Sequence, residues 1–133
     1  MSGTLLEGFA AIMKELLRPV NKNPKFSEKF SAINLKILLV ATDMYPAALV
    51  HADYGEVKVS SVSQEACKEW KKTGARCLIQ CTTNQFLAIS MGKLNPAKAW
   101  LTRQIKIRGV RNVKKFYDMI VVGMTSKRRE SSR

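Results

Sequence analysis

The sequence predicts an α+β fold, with one mainly antiparallel sheet of about five strands and helices that cover one face. Segments with strand-like apolar patterns alternate irregularly with segments at helical spacing, so the regular βαβ repeat of a doubly wound sheet is absent. At 133 residues, of which 46% are hydrophobic, the chain is also the right size for a single domain with its own core.

Two helices are predicted before the first strand. The first runs through TLLEGFAAIMKELL, where apolar residues recur at helical spacing from Leu5 to Leu16, and Pro19 is expected to end it. Asn23 and Pro24 form an N-cap and first-turn pair for a second, short helix that carries Phe26.

Three strands are predicted next. LKILLVATD is a near-continuous apolar run rich in branched residues, which is typical of a strand buried on both faces. AALVHAD and GEVKVSSV are separated by Asp53, Tyr54 and Gly55, which predicts a hairpin. His51 lies in this hairpin and is interpreted as structural, because the sequence places no second catalytic group with it.

The second half of the chain mixes short helices and strands. SQEACKEWKK is predicted to form a helix that Ser63 caps and Gly74 ends. ARCLIQCT has the composition of a strand, and its period of two turns the cysteines toward the core. Thr82 or Thr83 is expected to cap a helix through TNQFLAISM that ends at Gly92.

The last predicted elements are a short helix, a strand and an amphipathic helix. Asn95 and Pro96 begin the short helix. RQIKIRG then alternates, so its isoleucines face the core while Lys106 and Arg108 face solvent. VRNVKKFYDMIVV returns to helical spacing. Its apolar stripe is formed by Val110, Val113, Phe116, Tyr117, Ile120 and Val121.

The formal net charge of +13 is concentrated in the second half of the chain. No Asp or Glu occurs from Lys71 to Phe116, whereas this stretch contains eleven Lys and Arg residues. Such a surface favours nucleic acid, anionic lipid headgroups, or phosphorylated or carboxylate ligands, and charge alone does not choose among them. Residues 125–133 lack apolar periodicity and are predicted to be a disordered basic tail, which leaves 1–124 as a single domain.

Several other functions are disfavoured by the residue pattern. HExxH, GxSxG, GxGxxG and P-loop motifs are absent, so no enzymatic activity is expected. Cys67, Cys77 and Cys81 form no CxxC pair and are interpreted as reduced thiols, with no metal or cofactor. Cys67 lies on a Lys-rich segment, a setting that can lower a thiol pKa. Charged residues interrupt the first 17 positions, so no signal peptide is predicted and a cytoplasmic location is expected.

Short motifs recur in a fixed order between Thr82 and Val121. They are Gly92-Lys93-Leu94-Asn95-Pro96, Ala99-Trp100, Lys106-Ile107-Arg108-Gly109 and the amphipathic helix that follows. In this order they resemble the sterol carrier protein type two (SCP-2-like) lipid-transfer domain. The chain departs from the pattern of that family at Trp100, where Phe is usual, at Arg103, where Gly is frequent, and at Val110, where an acidic or amide residue is frequent.

The resemblance implies a non-enzymatic carrier that holds a fatty acyl chain, an acyl-CoA or a sterol- or isoprenoid-like ligand. The ligand would lie in an apolar tunnel between the sheet and the C-terminal helices. The residues expected to line the tunnel are Phe86, Leu87, Met91, Trp100, Leu101, Ile105, Val113, Phe116, Met119 and Ile120. A basic rim for anionic headgroups or a membrane surface is expected from Lys93, Arg103, Lys106, Arg108, Arg111 and Lys114.

Two alternatives stay open at this stage. The tunnel residues can equally be ordinary core, because apolar stripes at helical spacing usually are. The basic segment can also bind nucleic acid, although it carries no interleaved aromatic residues for base stacking. Whether the protein forms a homodimer is left open.

Overall fold

The computed structural model describes residues 8–119, without the side chain of Pro96. Five strands form one sheet: β1 (Asn34–Ala41), β2 (Met44–Asp53), β3 (Glu56–Val62), β4 (Cys77–Cys81) and β5 (Lys106–Arg108). Their order is β3-β2-β1-β4-β5, and all neighbours are antiparallel except β1 and β4, which are parallel. The predicted α+β fold with a mainly antiparallel sheet is confirmed.

Six helices and one 3-10 turn accompany the sheet in the described residues. They are α1 (Gly8–Asn21), α2 (Pro24–Lys29), α3 (Gln64–Cys67), the 3-10 turn (Trp70–Thr73), α4 (Thr83–Ser90), α5 (Pro96–Leu101) and α6 (110–119). The predicted N-caps Asn23, Ser63, Thr82 and Asn95 all accept hydrogen bonds from backbone N–H groups of the first helical turn. Local sequence therefore sets where these short helices begin.

The predicted end of α1 at Pro19 is wrong, because the helix continues through this residue to Asn21. Leu17 and Val20 on either side of the proline are buried, so packing holds the last turn in place despite the missing backbone N–H. The helix then closes with a hydrogen bond from Lys22 N to Pro19 O at 3.2 Å. The predicted start of this helix near Leu5 lies outside the described residues.

Strand β1 separates two apolar layers. Leu35, Ile37 and Leu39 face the helix-side core, which contains residues of α1, α2, α4, α5 and α6. Leu38 and Val40 point the other way, into a smaller cluster against which Trp70 of the 3-10 turn packs. The prediction that this strand is buried on both faces is confirmed.

The helix-side layer is not packed uniformly. Helix α1 lies across β2 and β3 and contacts both strands extensively. By contrast, α4 and α5 approach the strands at few positions, although Phe86 and Ala99 anchor them in the core. Contact with the sheet is therefore denser along α1 than along α4 and α5.

Helix α6 buries a narrower stripe than predicted. Val113, Phe116 and Met119, spaced three residues apart, are buried. Val110 and Tyr117, which were expected in the stripe, are 41% and 37% exposed. At 3.6 residues per turn, both lie on the same flank of the helix, about 100° or more from the centre of the buried row. Ile120, Val121, the domain limit at residue 124 and the predicted tail 125–133 lie outside the described residues.

Candidate functional site

The residues predicted to line an apolar tunnel do not share one environment. Five of them are buried in the helix-side core: Phe86, Ile105, Val113, Phe116 and Met119. Leu87 is half-buried, while Met91, Trp100 and Leu101 are 57%, 38% and 73% exposed. Ile120 lies outside the described residues. The structure thus gathers half of the set and leaves three members at the surface.

Helix α4 is positioned by polar contacts at its first turn. Thr82 and Gln85 form a reciprocal capping box. The carboxylate of Asp43, from the β1–β2 turn, accepts hydrogen bonds from Thr83 N at 2.8 Å and Thr83 Oγ1 at 3.0 Å. Chiefly because the Thr83 backbone N–H stabilises the charged form, the pKa of Asp43 is lowered. One helical turn later, the Phe86 ring packs against Phe9 of α1 with 4.7 Å between ring centroids.

Beside this layer lies an open cleft of about 570 Å³. Its walls come from the end of β1, the β4–α4 junction, the end of α5 and the segment leading into β5. The lining residues are Thr42, Gln80, Cys81, Thr82, Gln85, Trp100, Arg103, Gln104, Ile105, Lys106, Ile107 and Arg108. Gln85 Nε2 donates a hydrogen bond to Gln104 O at 3.1 Å, which ties α4 to the loop before β5.

The cleft collects half of the predicted basic rim. Arg103, Lys106 and Arg108 line it, whereas Lys93, Arg111 and Lys114 are exposed but lie outside the lining. No Asp or Glu is among the lining residues. Within residues 8–119, none of the ion pairs involves Arg103, Lys106 or Arg108. The cleft therefore presents three cations that form no direct ion pair with an acidic side chain of the described region.

Sequence reasoning missed the polar half of this cleft. Gln80 pairs with Lys106 across β4 and β5, and both side chains lie on the sheet face away from the helix-side core. Strand alternation predicted the direction of each side chain separately, but no local signal showed that the two strands are neighbours. Thr42 and Gln104 reach the cleft from loops and carry no pattern that would have selected them.

The thiols have no feature of a reactive or metal-binding site. Burial raises the pKa of Cys77 and of Cys81 to about 12, and both side chains face the helix-side core as predicted. Burial also raises the pKa of Cys67, contrary to the lowering that its Lys-rich segment suggested, because the thiol packs against the smaller cluster. In the part of the chain described, no three His, Cys, Asp or Glu side chains are grouped as metal ligands.

The fold and motifs agree with one family of known proteins. The model of the SCP-2 sterol transfer family matches residues 13–118, which is most of the chain. The chain belongs to the SCP-2 sterol transfer family. Membership gives this SCP-2 domain a lipid-binding or lipid-transfer role. The comparison with curated proteins finds no match.

Solved structures show the same fold in different settings. Sterol carrier protein 2 from Yarrowia lipolytica, in its apo form, has 16% identity and a TM-score of 0.55, over 88% of this chain and 94% of that one. The ubiquinone synthesis protein UbiJ-SCP2 has 9% identity and a TM-score of 0.59, over 86% and 89%. The sec-alkylsulfatase Pisa1 from Pseudomonas sp. has 14% identity and a TM-score of 0.56 over 70% of this chain.

The sulfatase differs from the other two in size. The SCP-2 domain described here spans 14% of its length, so the fold also occurs as a small part of an enzyme. At these identities the likeness concerns the fold alone. Among the helices within residues 8–119, none has the length and apolarity needed to cross a bilayer.

Proposed function

We propose that this SCP-2 domain is a non-enzymatic cytoplasmic carrier of a lipid with a long apolar chain and an anionic head. The chain would lie between the sheet and helices α4 to α6, where sequence analysis placed a tunnel. The basic rim would face the headgroup or an anionic membrane surface. Family membership supplies the lipid role, and the surface of the C-terminal helices supports the rest of the proposal.

Exposed apolar side chains lie mainly in the second half of the described chain, and this distribution is the main support for the proposal. Six large apolar or aromatic residues are exposed within the described chain, and all except Tyr54 fall between Met91 and Tyr117. Single exposed apolar residues are normal, whereas a contiguous apolar patch is typical of a binding surface, and we expect several of these residues to form one around the ligand entrance. This segment belongs to the same part of the chain in which α4 and α5 contact the sheet sparsely.

The arrangement suits a carrier energetically. Transferring one methylene group from water to an apolar environment contributes about 0.8 kcal/mol, so a long acyl chain supplies ample affinity without specific polar contacts. Because α4 and α5 approach the strands at few positions, we expect the ligand to enter by a shift of these two helices. Met91 and Met119 add side chains that adapt to ligands of different shape.

The first experiment is native mass spectrometry of the purified protein, followed by extraction of any bound compound. A species of lipid mass that is released from a 1:1 complex is the expected result. A protein free of bound compound, which also takes up no added fatty acid, would refute the carrier proposal. If nucleic acid is found instead, and its binding weakens steeply with salt, the basic surface is the functional feature.

Two variants test the location without threatening the core. Met91→Ser and Leu101→Ser, both at exposed positions, are expected to reduce fatty acid uptake several-fold, because each removes apolar surface at the proposed entrance. Tyr54→Asn is the matched control, since Tyr54 is 60% exposed in the β2–β3 turn, far along the sheet order from β5. Equal effects at all three positions would show that the loss is not local.

A further inference from the structure

The basic cleft has a composition that the binding of an apolar chain does not explain. Three of its residues are cations, and they converge on one opening without an acidic partner in the described chain. Lys106 and Arg108 stand two positions apart on one face of β5, which places them about 7 Å from each other. Like charges at this distance repel each other weakly across solvent, and a bound anion would replace that repulsion with attraction to both.

The backbone conformation of Arg103 is a second, independent indication that its side chain has a function. Its φ is +63°, in the left-handed region where an L-residue other than Gly, Asn or Asp costs about 1–2 kcal/mol. Glycine would adopt this turn without that cost. The position nevertheless carries an arginine that lines the cleft, and backbone strain of this kind tends to occur at functional sites.

We propose that this cleft binds a phosphorylated group through the side chains of Arg103, Lys106 and Arg108. Three cations match the multiple charge of a phosphate or diphosphate better than the single charge of a carboxylate. Guanidinium groups also bind phosphate oxygens in pairs of parallel hydrogen bonds. Gln80 also lines the wall, and its side-chain amide is a further donor.

The cleft and the proposed apolar site share two residues. Trp100 and Ile105 line the cleft and also belong to the set expected around the lipid. Lys106 and Arg108 lie on the face of β5 away from the helix-side core, and β5 is an edge strand, so a phosphorylated head in the cleft would sit at the sheet edge beside the end of an apolar chain held by the helix-side layer. This assignment of the group to the carried lipid rests on the proposed function, whereas a soluble phosphorylated ligand would need only the cleft.

Trp100 provides a direct reporter of binding. The chain has two tryptophans, so Trp70→Phe leaves Trp100 as the single tryptophan. We expect its emission to change saturably with inorganic pyrophosphate, and with phosphatidylcholine vesicles that contain phosphatidic acid but not with phosphatidylcholine alone. A response to pyrophosphate shows that the cleft binds a phosphorylated group in solution, without a bilayer. A response only to the acidic vesicles shows that it binds a membrane headgroup. Both responses support the site, and silence with both probes overturns it.

Charge-matched variants separate the site from the general basicity of the chain. Replacing Arg103 by Gly and Lys106 and Arg108 by Gln is expected to weaken binding on the order of tenfold or more. The control replaces three exposed lysines of the N-terminal region, Lys14, Lys22 and Lys25, by Gln, which removes the same charge. Equal weakening in the two triple variants would overturn the site, as would a mixed-sequence RNA oligomer that displaces both probes.

The single variant Arg103→Gly tests the argument from backbone strain. It is expected to leave the melting temperature unchanged or raise it, while it weakens pyrophosphate or acidic-vesicle binding. Full binding by this variant would remove Arg103 from the site. Uptake of an uncharged long-chain alcohol is measured in parallel. If the alcohol binds while the phosphate probes do not, the cleft proposal fails alone; if only the phosphate probes bind, the carrier proposal fails alone.

Discussion

The side-chain amide of Asn21 forms two hydrogen bonds with the backbone of Val57. Nδ2 donates to Val57 O at 2.7 Å, and Val57 N donates to Oδ1 at 2.6 Å. Val57 lies on β3, which is an edge strand, so the amide occupies a place that a neighbouring strand would take. The last residue of α1 thereby attaches the helix to the sheet and covers part of an open edge.

We expect Asn21→Ala to lower the free energy of unfolding by about 1–3 kcal/mol, because both hydrogen bonds are lost and the Val57 N–H and C=O become partly unsatisfied. Asn21→Asp keeps the acceptor for Val57 N but turns a carboxylate oxygen toward Val57 O at the C-terminal end of α1, so near neutral pH we expect a loss at least as large. Urea denaturation measures both. Lys14→Ala, at an exposed site in the same helix, controls for helix propensity and should change stability by less than about 0.5 kcal/mol.

The contact between Asp43 and Thr83 predicts a loss of stability in acid. Because the pKa of Asp43 is lowered in the folded protein, its contribution is complete above the unfolded value of 3.8 and is lost as pH falls through the folded value. We therefore expect Asp43→Asn to lower the melting temperature near neutral pH and to have a smaller effect at about pH 3.

Glu65→Gln is the control for this prediction, because it neutralises an exposed carboxylate in α3 that only a long surface ion pair engages. His51 also weakens the fold in acid, since burial is the main cause of its lowered pKa and protonation then disfavours the folded state. Comparing variants at the same pH removes the contribution of His51. An Asp43→Asn effect that is the same at every pH would contradict the prediction.

Features encoded by adjacent residues were predicted well. The N-caps Asn23, Ser63, Thr82 and Asn95 and the two-residue turn at Tyr54 and Gly55 each depend on a few neighbouring positions. Both residues of that turn have positive φ, at 51° and 92°, as a type I′ turn requires. The alternation that turned Cys77 and Cys81 toward the core is equally local.

Features that join distant residues could not be predicted in this way. The parallel pairing of β1 with β4 and the hydrogen bonds between Asn21 and Val57, 36 positions apart, have no local signal. The same holds for the cleft, whose walls come from separate loops and strands. The prediction that α1 ends at Pro19 was wrong for a related reason. The burial of Leu17 and Val20 outweighs the local tendency of proline to end a helix.

The thiols are expected to react in a fixed order. Cys77 and Cys81, with pKa values raised to about 12 and side chains in the core, should stay inert to a thiol reagent such as dithionitrobenzoate until the protein unfolds. Cys67 is only half-buried and should react slowly in the native state, because its raised pKa leaves little thiolate. Cys67→Ala should abolish native reactivity. Fast labelling of Cys81 would instead mean that the cleft opens as far as the core.

Phe116 can be tested as a residue that lines the lipid site or as a residue of the packed core. Phe116 and Phe26 are both buried aromatic residues of the helix-side core, in α6 and α2 respectively. Replacing either by Leu should cost on the order of 1 kcal/mol, well below the about 3–5 kcal/mol of truncation to Ala, so both variants should fold.

If Phe116 lines the ligand, Phe116→Leu frees roughly the volume of one methylene group, and the fatty acid length that binds most tightly should increase. Phe26→Leu should leave that length unchanged, because α2 is not part of the C-terminal layer. Displacement of a fluorescent fatty acid by a series of chain lengths measures both. Identical length preferences in the two variants and the parent protein would place Phe116 in the packed core and the ligand elsewhere.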